Sequence, residues 1–335
     1  MSEGHRVRLL RGFDDPRLPP EAWEGLLDRS PVASVFMTWH WQSAWWQVFG
    51  RGRLLLFAVV DTGGMRALAP LFADGGMVFF VGSGGSDYLD FLGDFAQPQV
   101  LAEVLDAARR AAEGFVGFRF YHVPDGSPTP ARLGAAARLL GLRAYDEGRL
   151  PAPVVELDAD PGAARPAADH RSLRRHEQAL GRVGSLAVHH ASCGGAILPE
   201  LEGFFAQHVA RWEGTPHPSL FHDRRWREFY RRVCLVAGEA GWLRFTRLDC
   251  GGRPAAYHFG FHYRGSYLWY KPCFARTLTR CSPGEVLLRH LFLAASREGA
   301  SRFDFGIGDE PFKQRFATAH PGVTTYGLYA EAAGA

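Results

Sequence analysis

The chain has 335 residues, 38 Lys+Arg against 35 Asp+Glu, and 47% hydrophobic residues. This balance excludes a fibre or a disordered tail and leaves length enough for two cores. A net charge of +3 is too small for a nucleic-acid footprint over the whole surface, so any polyanion contact has to be local. The five cysteines form no CxxC pair, the first residues lack the apolar run of a signal peptide, and no stretch approaches the roughly 18 apolar residues of a membrane span. The expectation is a cytoplasmic protein with free thiols. The only lysines are Lys271 and Lys313, in a chain otherwise supplied with arginine. A compact ammonium and a broad fixed guanidinium are not interchangeable, which marks both lysines for attention, Lys313 more than Lys271.

Taken in chain order, Leu54–Val60 reads as a strand, Asp61-Thr62-Gly63-Gly64 as a turn and Ala67–Phe72 as the return strand. Trp39, Trp41, Trp45 and Trp46 fall on a helix before them, mostly as core. After Gly82-Ser83-Gly84-Gly85-Ser86 comes a turn exposing Asp87, Tyr88 and Asp90, two carboxylates and a phenol able to hold a cationic amine or to cap the turn itself. A helix at about 98–113 and a closing strand at Val116–Tyr121 follow. Pro151-Ala152-Pro153 precedes a short strand at Val154–Leu157, and Pro161–Ala168 reads as a connecting loop. The boundary is placed there, giving lobes 1–150 and 151–335.

The second half repeats the order. A helix runs from about Asp169, a plausible N-cap, to Leu180 with Arg171, Arg174 and Arg175. Helices at 198–212 and 223–237 follow, the latter carrying Arg224, Arg225, Arg227, Arg231 and Arg232, as solvated surface or as an acceptor or tRNA contact. Trp242–Leu248, Asp249-Cys250-Gly251-Gly252 and Ala255–Tyr263 then match the first hairpin. Strand Ser266–Tyr270 meets Pro272, where pairing is expected to break or splay. Past Arg276 and Arg280, Ser282-Pro283-Gly284 reads as a helix start with serine at the N-cap and proline at the first position. The free amides there, with Arg280 close by, suit an anion. The helix continues to Glu298 and the closing strand is Arg302–Phe305. His258 and His262 alternate with Gly260 on one strand; with no third ligand at a useful spacing a metal site is set aside, and His258 reads either as a base or as a packed, hydrogen-bonded strand histidine. Cys281 has no His-Asp partner and reads as a bystander. No GxxxxGK[ST], HExxH, GxSxG or GxGxxG motif is present.

The order from Trp242 through Phe303-Asp304-Phe305-Gly306 to Glu310-Pro311-Phe312-Lys313 resembles the BcsL/CelD-type acetyltransferases of the GNAT superfamily, relatives of the FemAB peptidyltransferases. Phe36-x-x-Trp39, Trp45-Trp46, Leu68-Ala69-Pro70-Leu71 and Ser86-Asp87-Tyr88-x-Asp90-Phe91 extend the resemblance through the first half, so that it covers about Val35 to Lys313. It implies an α/β fold of two tandem GNAT-like lobes, each a mixed, mostly antiparallel sheet flanked by helices. The first lobe would serve the acceptor, with Trp39, Asp87, Tyr88 and Asp90 against it, and would hold no donor. The second would bind an acyl donor beside its splayed strand, through Tyr270, Arg280, Ser282, Pro283, Gly284 and Glu285. Arg280-Cys281-Ser282-Pro283-Gly284 departs from the family's [QR]-x-x-G-x-[GA] loop, which leaves acyl-CoA, a carrier-protein thioester and aminoacyl-tRNA as donors.

The resemblance further implies that Phe312-Lys313 corresponds to the aromatic-lysine pair that stabilises the reacting carbonyl in FemAB proteins. Asp304, at the end of a strand bordering the same cleft, either orients the amine or takes its proton or only holds the strand's end, and His258 is a candidate base. The expected function is N-acyl transfer from a thioester, acyl-CoA first, to the amine of a small molecule or of a sugar or amino-acid derivative. No tightly bound cofactor, metal or DNA is expected. The alternatives are a FemAB-like transferase using aminoacyl-tRNA and a GNAT-like binding protein without catalysis.

Overall fold

The computed structural model describes residues 4–157 and 164–330, which divide into two compact units at Pro151/Ala152 and again at His320/Pro321. The first unit opens with β1 (Arg6–Leu9), α1 (Pro20–Asp28) and α2 (Trp39–Phe49). The hairpin β2 (Arg53–Asp61) and β3 (Gly64–Asp74) follows, then β4 (Met77–Phe80), β5 (Leu92–Gly93), α3 (Pro98–Ala111), β6 (Gly117–Pro124), α4 (Thr129–Leu139) and β7 (Leu142–Pro151). The second unit contains β8 (Val154–Glu156), α5 (Ala164–Ala168), α6 (Arg171–Gly181), β9 (Leu186–Ala191), α7 (Gly194–Ile197), α8 (Leu201–Trp212) and α9 (Arg224–Glu239). It continues through β10 (Leu243–Cys250), β11 (Arg253–Tyr263), β12 (Ser266–Phe274), α10 (Pro283–Arg297), β13 (Arg302–Asp304) and α11 (Pro311–Gln314). The last strand, β14 (Gly322–Ala330), returns to the first unit.

The repeat read from the sequence is present in the sheets. The order in the first is β1-β2-β3-β4-β6-β14-β7, and in the second β9-β10-β11-β12-β13-β8. In each, a glycine turn closes an antiparallel hairpin: Asp61 Oδ1 accepts from the Gly63 amide at 2.7 Å, and Gly251 and Gly252 take φ of 59° and 74°. A third antiparallel strand then leads through a helix to a parallel partner. These parallel ladders are both three residues long, Met77–Phe79 on Gly117–Arg119 and Ser266–Leu268 on Arg302–Asp304. A connection that must cross over to a parallel strand is the reason α3 and α10 sit where they do.

Each helix layer buries an apolar face. Leu101, Val104, Leu105 and Ala108 of α3 pack with Leu133 of α4 and Phe118 and Phe120 of β6, while Leu287, Leu288, Leu291 and Phe292 of α10 pack with Leu173, Leu180, Trp269 and Phe303. The opposite face of the second sheet is covered by α8 and α9 through Phe204, Phe205, Phe221, Tyr230 and Phe259. Among the described residues no helix is long and apolar enough to cross a membrane.

Four local expectations need correction. The second lobe does not run to 335, because β14 lies between β6 and β7 in the first sheet, pairing antiparallel with both. Of the loop expected at Pro161–Ala168, residues 161–163 lie outside the described residues and Ala164–Ala168 is helical. The N-cap of α6 is His170, whose ring accepts from the Ser172 amide, while Asp169 pairs with Arg174 and Arg289. Finally β12 runs through Pro272, which stays in register opposite His258. Proline withholds only one donor, and the ladder here tolerates that loss.

Candidate active site

The break expected at Pro272 lies four residues earlier and on the other edge of β12. Leu268 and Asp304 are the last paired residues of β12 and β13. Beyond them β12 continues along β11 alone. Next to this point β12 carries a bulge, since Phe259 pairs with Lys271 and Phe261 with Leu268, which sets Trp269 and Tyr270 against Gly260. The extra residue sends Trp269 into the α10 core and Tyr270 toward α9, where it stacks with Tyr230 at 6.2 Å.

His258 holds this bulge. It is fully buried, stacked on Trp269 at 5.5 Å, and its Nε2 lies 3.2 Å from the Leu268 carbonyl and 3.3 Å from the Tyr270 amide. Burial pushes its pKa down to about 3, so the ring is neutral. Nδ1 has no hydrogen-bond partner among the described residues. A ring wedged between backbone atoms fits a brace better than a base. Gly260 makes room for it: a Cβ there would lie 2.2 Å from His258 Cε1 and 2.3 Å from the Leu268 oxygen. His262 is not its partner, because its Nδ1 bonds to Glu298 at 3.0 Å in a separate cleft.

Asp304 ends β13, 7% exposed, and its Oδ1 accepts from the Gly306 amide at 2.7 Å. The loop that follows turns on Gly306 and Gly308, with φ of 64° and 137°. Lys313 projects back into that loop from α11. It is 3% exposed, donating from Nζ to the Ile307 carbonyl at 2.9 Å and pairing with Glu310 Oε2 at 2.8 Å. Gly308 beneath it is favoured by its φ of 137°, a backbone conformation that residues with a Cβ rarely adopt. Phe312 packs on Trp269 at 6.2 Å and Phe305 at 6.0 Å, one ring from each diverging strand. The structure thus sets Asp304, Phe312 and Lys313 beside Trp269 where β12 and β13 part, while Tyr270 faces α9 on the other side of the sheet.

The helix start expected at Ser282 is there, with different chemistry. Pro283 is the first residue of α10, but Ser282 is left-handed (φ 49°, ψ 56°) and its side chain makes no cap bond. Gly284 lies against the Phe274 ring, 3.1 Å from where its Cβ would be. Arg280 is exposed, with no polar partner among the described residues. Glu285 is committed elsewhere, to Arg315 at 2.6 Å and His176 at 3.3 Å. Cys281 is partly buried against Ala179.

The first-lobe candidates separate. Trp39 donates from Nε1 to the Phe13 carbonyl at 3.2 Å. Tyr88 packs against Phe36 at 5.9 Å, and Asp87 is half-buried. Asp90 does not face solvent at all: it is buried and accepts from the Thr129 hydroxyl at 2.6 Å and the Phe91 amide at 2.8 Å. Burial pushes its pKa up to about 6 against those hydrogen bonds. The turn-anchoring role holds for Asp90, and the amine-holding one fails on access.

A pair of consecutive mixed sheets, each with one parallel ladder reached through a helix, defines two tandem GNAT-like lobes. Comparison with known proteins agrees. The family model of the acetyltransferase (GNAT) domain matches residues 168–314. Among solved structures the fold is similar to FemX (TM-score 0.65, 10% identity, 92% of this chain and 95% of that one). It is also similar to L-PGS from Bacillus licheniformis (0.56, 16%, 93% and 92%) and to a tandem GNAT protein from the clavulanic acid biosynthesis pathway (0.50, 13%, 99% and 100%). No curated protein matches the sequence significantly.

Proposed function

We propose that the protein is an N-acyltransferase whose second lobe holds an acyl thioester, acyl-CoA foremost, and passes the acyl group directly to an amine of a small molecule or of a sugar or amino-acid derivative. The observation that carries this reading is the parting of β12 and β13 at Leu268 and Asp304, beside a buried ammonium. A neutral amine attacks the thioester carbonyl, the C–N bond forms, and the C–S bond breaks as the thiolate leaves. Two Lys313 protons are held by Ile307 and Glu310, which fixes the ammonium and leaves the third for the developing oxyanion. Asp304 takes the amine proton, directly or through water, with one oxygen already steadied by Gly306. Arg280 meets the donor's phosphates at the start of α10.

Calorimetry with acetyl-CoA and free coenzyme A tests the donor. Binding that weakens in Arg280→Ala and survives in Lys313→Ala is expected, and no binding at millimolar ligand overturns the coenzyme A version. One observation favours aminoacyl-tRNA: Arg171, Arg175 and Arg224 are exposed and unpaired among the described residues. Against it, Arg225, Arg231 and Arg232 are neutralised by Asp223, Glu202 and Glu228. Salt-sensitive binding of charged tRNA would favour that donor. Failure of every donor to turn over would leave a binding protein.

A further inference from the structure

A polar cleft of about 450 Å³ opens in the second lobe, lined by Ser192, Arg244, Thr246, His262, Tyr267 and Glu298 together with His190. Glu298 sits just past the C-terminus of α10, whereas Arg280 and Ser282 precede its N-terminus. Fifteen helical residues span about 22 Å, so the cleft is remote from Arg280 and Ser282, although Tyr267 in its lining is the neighbour of Leu268, where β12 and β13 part.

The groups of this cleft do not cancel. Its one carboxylate, Glu298, is already shared, accepting from Arg244 Nε and His262 Nδ1 on the same oxygen. Arg244 is further held by the Gly241 and Leu243 carbonyls at 2.9 and 2.8 Å. Arg297 has no carboxylate: among the described residues its polar contact is His190 Nε2 at 3.5 Å, and His190 is fixed from the other side by Thr246 Oγ1 at 2.9 Å. Counting Arg297, which adjoins the lining through His190, one positive charge is left over. What remains open toward the cleft includes two donors, the Ser192 hydroxyl and a guanidinium edge of Arg244, with the Arg297 guanidinium adjoining the lining through His190.

We propose that this cleft is a binding site for a small organic anion carrying a carboxylate or phosphate group, distinct from the donor-phosphate position at Arg280. The reading stands independently of the acyl-transfer proposal. It also accounts for the state of His190, whose pKa is held below the ordinary value by burial first and then by Arg297 and His290 of α10, with His189 acting in the same sense and Glu298 opposing them. An anion beside Arg297 reverses part of that effect, so binding and protonation of His190 are linked, and affinity rises as pH falls.

The test uses the full chain with histidine side-chain NMR, titrating inorganic phosphate and, separately, citrate, with sodium chloride at matched ionic strength as the control. Saturable shifts of the His190 and His262 signals are expected, with the His190 pKa raised in the bound state. Arg297→Ala should weaken binding roughly tenfold, as for loss of one charge-assisted contact. Arg280→Ala should leave it unchanged, and acetyl-CoA binding measured on the same samples should not respond to Arg297→Ala. Phosphate responding without citrate narrows the ligand to phosphate esters, and the reverse narrows it to carboxylates. Equal shifts with chloride, no saturation at tens of millimolar, or unaltered affinity in Arg297→Ala would overturn the proposal.

Discussion

Replacing Lys313 by methionine separates a catalytic ammonium from a loop brace. Methionine keeps most of the apolar stem, so the change removes charge and hydrogen bonds without opening a large cavity. The Ile307 carbonyl loses a charged donor at 2.9 Å, a cost of about 1.5–3 kcal/mol. Glu310 is 48% exposed and returns to water, so its lost pairing adds at most about 1 kcal/mol. A stability loss of about 2–4 kcal/mol by urea unfolding is therefore expected from structure alone. If the third proton meets the oxyanion, the loss in kcat is about 10²–10³-fold, as for one oxyanion donor. The assay is thiol release from acetyl-CoA against a panel of amines, with acetyl-CoA binding measured in parallel. Glu310→Gln supplies the control, since it keeps the ammonium and its bond to Ile307 while removing the carboxylate charge. A folded Lys313→Met that binds acetyl-CoA and turns over within a few-fold of the parent would refute the catalytic assignment.

Gly260→Ala places a methyl 2.3 Å from a backbone oxygen that cannot swing aside, so more than about 3 kcal/mol of stability should disappear, together with donor binding; an unchanged melting temperature would show that the bulge is not fixed. Ser282→Gly relieves a left-handed serine whose side chain caps nothing, and should stabilise by about 0.5–1 kcal/mol in urea unfolding, whereas a loss would reveal a capping role. Asp90 has a folded-state pKa raised from 3.8 to about 6, so the folded state holds its proton more tightly than the unfolded chain. Its contribution is fully present below pH 4 and is lost as pH rises through 6. The stability difference between the parent and Asp90→Asn should change by about 2 kcal/mol between pH 4 and pH 7, and a constant difference would argue against the shift.

The hairpins were legible because Asp-x-Gly-Gly needs positive φ at glycine between β-rich runs, which are continuously apolar in the first hairpin. The helix at 283–297 was legible from its proline and its apolar period. Strand β14 was not, because its nine residues follow a loop of the second lobe and find their partners more than 170 residues back, a pairing that no local pattern records. The bulge escaped for a related reason: Gly260 between two histidines reads equally well as alternation, and only the Leu268 oxygen across the ladder shows what the glycine admits. Ser282 fitted the composition of an N-cap, yet the tight 3₁₀ turn at Arg276–Cys281 delivers it left-handed, with its hydroxyl turned from the amides. Lys313 was legible from scarcity and resemblance. Its tethers to Ile307 and Glu310 depend on two glycines whose conformations appear only in three dimensions.

The repeat makes the asymmetry of the two lobes intelligible. Both part a parallel strand pair after three residues, and the space this creates must be filled, because an empty apolar wedge would forfeit contacts on both walls. In the first lobe Phe91 fills it, meeting Phe80 of β4 at 4.9 Å and Phe120 of β6 at 5.3 Å. The next residue back, Asp90, fastens that segment to Thr129 at the start of α4. In the second lobe Phe312 occupies the comparable position between Trp269 and Phe305, but its neighbour is Lys313, held by a carbonyl and a half-exposed carboxylate. One buried ionisable side chain accompanies each aromatic wedge, and their surroundings differ in kind. Asp90 spends its oxygens on hydroxyl and amide donors of its own lobe and is pushed toward neutrality. Lys313 keeps its ammonium opposite a carboxylate, with a proton to spare where the strands separate, which is why the chemistry is sought in the second lobe.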